Sequence, residues 1–320
     1  MLEYCRFVSA RRGEWLVIKR VACRGEKIEA VGPTIEIVLK ELARRICERD
    51  SVLDGVLEQI VVADDFPAAL VSLGEPPAPA GSIVPTVART LYLESGPVLV
   101  LEGAQVVAAL GSEVDAMARF VHMLHGELWR VRLHLDAIAA GQEGLGAWGD
   151  SVFDSQLRPV VEAMRGEYAV SRRTVWSLPN DADLMLKHLL DVVDALPAAT
   201  AEDVATGAAD LDGLFVRSLG RVAHLTQTAA HVQGYLAGLE RSVDVISPEM
   251  AAAIEASFFG PHWVALGRQL DALFHAGEAA AIEAARSEVQ HTLQAVFGSL
   301  GLQLRRAEDG GVWLAPGVAG

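Results

Sequence analysis

The sequence predicts an α+β protein: a small mixed sheet carrying one long central helix, followed by a mainly α-helical second half. Three observations carry this. Short branched-apolar runs separated by turn signals fill the chain up to Leu101. A proline-free amphipathic run then extends from Ser112 to Ala140. Beyond Gly149 nearly every segment has helical spacing.

Taken in order, Glu14–Val21 is rich in branched and aromatic residues and reads as a strand, as does Ile28–Val31 before the Gly32-Pro33 break. Thr34 is the expected cap of a helix to Arg49, with Ile35, Val38, Leu39, Leu42, Ala43 and Ile46 on one face. Val56–Ala63 is a continuous apolar run, the signature of a buried strand, and it ends in Asp64-Asp65. That acidic pair is expected as a turn or helix cap. Pro67–Leu73 reads as a short helix or turn, and Gly74–Gly81 as a proline-rich loop. Val84–Glu94 and Pro97–Leu101 flank Glu94-Ser95-Gly96 as a hairpin.

Ser112 is a natural N-cap for the long helix, and Glu113 and Asp115 suit its positive end. Gly141–Gly149 reads as a flexible link. Helices are expected at 154–175, 181–195, 201–216, 217–241, 247–258, 261–276 and 278–299, with Pro197 and Gly260-Pro261 among the punctuation. Leu302–Pro316, around Asp309-Gly310-Gly311, is a terminal hairpin. The division expected is residues 1–150 and 151–320, packed as one fused unit.

Composition narrows the function. A hydrophobic content of 51% supports a sizeable core. A formal charge of −15 repels phosphate backbones, so nucleic acid is not an expected partner. The three cysteines, Cys5, Cys23 and Cys47, match no zinc or redox spacing and are expected as reduced core residues. No window approaches the ~18 uncharged apolar residues of a membrane span, and the N-terminus lacks a signal-peptide run. A soluble, cytoplasmic protein is the expectation. There is no G-x-S-x-G, no P-loop and no strand-borne G-x-G-x-x-G.

The long helix holds the chemistry: His122, His125, Glu127, Arg130 and His134 lie among Phe120, Leu124, Leu128, Trp129 and Val131. A helical H-E-x-x-H motif places two imidazoles on one face to hold zinc and a glutamate beside them to activate its water. Here the run is His125-Gly126-Glu127-Leu128-Trp129-Arg130. With Glu127 as the motif glutamate, Gly126 and Arg130 occupy the ligand positions. Gly126 offers no ligand. Arg130 places a permanent cation where a metal would sit.

The surroundings resemble the zincin-like metallopeptidases of bacteria and prophages. The carrying features are Val61-Val62-Ala63-Asp64-Asp65-Phe66, the Leu124–Arg130 run with His134-Leu135-Asp136 after it, and Glu167-Tyr168-Ala169-Val170-Ser171-Arg172. Phe258-Phe259-Gly260-Pro261-His262-Trp263 and the closing Gly310-Gly311 segment also fit. The resemblance implies a zincin-like sheet, a vestigial general base at Glu127 and a third-ligand position at Glu167. It suggests an Arg130–Glu167 ion pair in place of the metal. The implied function is a pseudoenzyme: a peptide- or protein-binding, regulatory component of a bacterial multi-protein system, without cofactor.

The alternative is an active zinc metallohydrolase with rearranged ligands. His122 and His125, one turn apart, would bind zinc with Glu167. His134 is expected as a surface or interface residue, because twelve residues separate it from His122 and rise about 18 Å. His224 and His231 share a face of one helix, with packing or exposure the expected role. Oligomeric state is not legible.

Overall fold

The computed structural model describes residues 18–77, 87–111, 113–140, 152–180, 184–207, 211–306 and 312–316. The Ser112 cap, the Gly141–Gly149 link, the first part of the Glu14–Val21 run and the Asp309-Gly310-Gly311 turn lie outside them. The chain divides into two compact units: Met1–Ala140 with Ser177–Asn180, and Gly141–Trp176 with Asp181–Gly320. Four residues after Trp176 thus belong to the first unit.

The first unit is a mixed sheet with helices. β1 (Ile18–Arg24), β2 (Leu57–Ala63), β3 (Ala88–Leu93) and β4 (Gly96–Glu102) form one four-stranded sheet in the order β1-β2-β4-β3. β1, β2 and β4 are parallel, and β3 pairs antiparallel with β4 through the Glu94-Ser95 turn. The central strands carry continuous apolar stretches, Ile60–Ala63 in β2 and Val98–Leu101 in β4, as strands covered on both faces do. Val61, Ala63, Val98 and Val100 meet Phe66 and Ala69 of α3 (Phe66–Ser72). Ile60, Val62, Leu99 and Leu101 alternate to the other face and are fully buried.

Between β1 and β2 run α1 (Glu26–Glu29) and α2 (Gly32–Arg49). Ile28 therefore belongs to a helical turn and not to the expected strand. Its side chain is buried, and Asp64 Oδ2 accepts from the Lys27 N–H at 3.0 Å, holding that turn. Gly25 enters it at φ 103°, where a Cβ would meet Asp64 Oδ2 at 2.4 Å, so both conformation and space require glycine. α2 starts at Gly32 with Pro33 in its first turn, earlier than the expected Thr34 cap. Asp65 caps α3 by accepting from the Ala68 N–H at 2.9 Å. The acidic pair is thus spent on turns and caps. After β4 come α4 (Gly103–Ala109) and the long α5 (Val114–Ala139).

The second unit is mostly helical, with α6 (Val152–Thr174), α7 (Leu186–Gly207), α8 (Leu211–Gly238), α9 (Val243–Ile246), α10 (Pro248–Ala256), α11 (Gly260–His275) and α12 (Ala279–Ser299). A terminal hairpin of β5 (Leu302–Arg306) and β6 (Val312–Pro316) follows. Pro197, expected as punctuation, lies inside α7. The expected break at 216/217 is likewise absent, and α8 is one continuous helix. Two glycines on α8 set its contact with α6: a Cβ on Gly234 would lie 2.4 Å from the Tyr168 carbonyl, and one on Gly238 2.5 Å from that of Arg172. Among the described residues no helix is long and apolar enough to cross a membrane.

Candidate functional site

α5 owes its helix to a proline-free run and buries Phe120, Leu124, His125, Gly126, Leu128, Trp129 and Val131. One polar cluster sits on this buried side. His125 is fully buried, with Nε2 2.7 Å from Asp50 Oδ2 and Nδ1 2.8 Å from Ser177 Oγ. Trp129, one turn on, donates Nε1–H to the same Asp50 oxygen at 3.2 Å. His122, one turn back, places Nδ1 2.9 Å from the same Ser177 hydroxyl. Asp50 follows α2 as its C-terminal cap, with its N–H on the Ile46 carbonyl.

Proton positions follow from the partners. Burial lowers the His125 pKa below the usual histidine value, and Arg49 adds to this, while the hydrogen bond and charge of Asp50 oppose it. The neutral ring carries its proton on Nε2, facing a carboxylate that can only accept. Its Nδ1 then accepts from the Ser177 O–H, and His122 donates to Ser177 Oγ. The outcome is a directed chain from His122 through Ser177 and His125 to Asp50.

A hydroxyl, an imidazole and a carboxylate in line is the spacing of an activated serine. Here the serine oxygen is already held by a donor from His122, and the imidazole has no exposed surface. The cluster is built to pin Ser177 and the end of α2 onto α5. The same arrangement bears on zinc: both ring nitrogens of His125 are engaged, leaving no lone pair directed at an open space. Among the described residues no group of three or more His, Cys, Asp or Glu is placed to hold a metal ion. Of the ligand set in the alternative reading, His122 and His125 lie in this cluster and Glu167 lies on α6.

A second cluster lies between α5 and β3. Glu127 Oε1 pairs with Arg130 Nη1 at 2.7 Å, and Glu127 Oε2 accepts from Thr90 Oγ1 at 3.2 Å. Glu127 is thus a carboxylate paired with Arg130 one turn further along α5. Two residues along β3, the Tyr92 ring lies over His134 with centroids 3.7 Å apart. The Tyr92 hydroxyl is pushed up to about 12, by partial burial first and the Glu127 charge second, with Arg130 opposing.

Glu167 lies on α6 in the second unit. It approaches His231 Nδ1 at 3.4 Å, and the same nitrogen is 2.9 Å from Ser171 Oγ. The proposed partners Arg130 and Glu167 therefore belong to different units, and each has an oppositely charged or ionisable neighbour in its own. His224 and His231 have separate environments: His224 meets His188, and His231 meets the α6 pair Glu167 and Ser171.

Asp50 and Ser177 escape sequence reasoning. They lie 75 and 52 residues from His125, and neither stands in a motif. The one available signal is the position of Asp50 just past a helix end, which reads equally as a cap. Compared with protein-family models, curated proteins and solved structures, the chain has no match.

Proposed function

We propose that this chain is a degenerate zincin-like protein that has exchanged metal chemistry for binding. It acts in the cytoplasm as a peptide- or protein-binding component of a bacterial multi-protein system. One observation carries the reading. Arg130, at the second metal-ligand position of the resemblance, forms an ion pair with Glu127, the would-be base. A guanidinium does not deprotonate in proteins, so a divalent ion beside Glu127 meets a fixed positive charge. Glu127 is also held by the Thr90 hydroxyl.

The binding half of the proposal rests on β3. It ends the order β1-β2-β4-β3 and, among the described residues, pairs with β4 alone. An edge strand can accept an extended peptide as a further strand, its backbone groups giving affinity and side-chain sites giving selectivity. Thr90 and the half-exposed Tyr92 then place the polar Glu127–Arg130 pair and the Tyr92 ring beside such a peptide. The free thiols of Cys23 and Cys47 suit a reducing compartment.

The test combines three measurements on the full chain purified without added zinc: metal content by mass spectrometry, hydrolysis of unfolded casein, and binding to an array of extended peptides. The expected result is substoichiometric zinc, no cleavage, and peptide binding weakened by Arg130→Glu at unchanged circular dichroism. Stoichiometric zinc that is lost in His125→Gln would instead select the metallohydrolase reading with His122, His125 and Glu167. No peptide binding at all would refute the binding role.

A further inference from the structure

Two exposed imidazoles meet between neighbouring helices of the second unit. His188 lies in the first turn of α7 and His224 within α8. Their ring centroids are 5.3 Å apart, with planes at 63°. We propose that this pair binds a divalent transition-metal ion of the zinc and copper class, with solvent completing its shell.

The spacing is the first reason. Zinc–imidazole bonds of about 2.0–2.1 Å put each ring centre about 3.2 Å from the ion, so two rings at a tetrahedral angle stand about 5.2 Å apart. The pair already has that separation.

The second reason is backbone strain. Leu184 and Met185, just ahead of α7, adopt consecutive left-handed conformations at φ 54° and 62°. Residues with a Cβ are strained there, and such strain persists where the surroundings fix a functional geometry. It sets the turn that carries His188. Imidazole ligands select zinc, copper or nickel over magnesium and calcium, which prefer oxygen. No third His, Cys, Asp or Glu completes a group among the described residues, so the bound ion keeps solvent ligands.

This site is independent of the zincin-like reading, since neither histidine belongs to the first unit. The experiment is calorimetric titration of the full chain with zinc chloride near pH 7.5, with copper(II) as a spectroscopic stand-in. One ion per chain is expected, with a raised thermal midpoint and a two-nitrogen copper spectrum. His188→Ala and His224→Ala should each weaken binding at least tenfold, and magnesium should not compete. Both positions are exposed, so unchanged circular dichroism will show that the variants fold. No bound zinc, or binding that neither substitution weakens, overturns the proposal. Loss of the ion in His125→Gln alone would place it in the first unit.

Discussion

Replacing His125 by leucine tests the chain that joins α5, Asp50 and Ser177. Leucine keeps an apolar, buried side chain of similar reach and removes both hydrogen bonds. The bond to the Asp50 carboxylate, at 2.7 Å, is charge-assisted and contributes about 1.5–3 kcal/mol. The bond to Ser177, at 2.8 Å, contributes about 0.5–1.5 kcal/mol. Asp50 retains Trp129 as a donor and Ser177 retains His122, which limits the penalty of stranded groups. The expected loss for His125→Leu at pH 7.5 is therefore about 2–4 kcal/mol.

Urea unfolding checks this, followed by circular dichroism and by tryptophan emission, to which Trp129, sharing the Asp50 oxygen, contributes. The same variant has a pH signature. The folded pKa of His125 is lowered by burial, so below the unfolded value of about 6.5 the unfolded chain takes up a proton that the folded chain resists. Wild-type stability should fall as pH drops from about 6.5 toward the lowered folded value, while the leucine variant lacks that term. The gap between the two must narrow on acidification. A variant within about 0.5 kcal/mol of wild type at pH 7.5, or a gap that widens in acid, would refute the buried neutral relay.

Other expectations follow from the packing. Gly234→Ala drives a Cβ to 2.4 Å from the Tyr168 carbonyl and should cost about 1–3 kcal/mol or more, whereas exposed Gly220→Ala, with nothing near its Cβ, should gain about 0.5–1 kcal/mol, both read by urea midpoints. The Cys47 thiol is fully buried and pushed up to about 12, by burial first and then by Asp54 and Asp50, so it should resist iodoacetamide at pH 8 until the chain is unfolded, as peptide mapping would show. Asp203 is held by Arg221 at 2.7 Å and Arg217 at 3.4 Å, and Asp203→Ala should destabilise the second unit by about 1.5–3 kcal/mol, checked by thermal unfolding. Arg130→Ala should change stability by no more than about 1 kcal/mol, because its pair with Glu127 is partly open to solvent and screened.

Local patterns in the sequence carry much of this architecture. The apolar runs give β2 and β4, the glycine at 96 gives the hairpin turn, and the proline-free amphipathic stretch gives α5, since each depends on residues within a few positions of one another. The identity of Gly126 and Arg130 is equally plain in the chain, and with it the conflict between Arg130 and a metal ion. Boundaries fixed by distant packing are not legible in this way: Ile28 is helical because Asp64 caps its turn, and α7 continues through Pro197.

The site divides along the same line. The sequence by itself places His122, His125, Glu127 and Arg130 along one helix, because helical periodicity is local. Only the tertiary structure decides what each meets. Asp50 and Ser177 reach His125 across 75 and 52 residues, and Thr90 reaches Glu127 across 37. The pairing of His188 with His224 is of the same kind. No spacing rule encodes such contacts, because burial and the crossing of helices and strands bring their partners together.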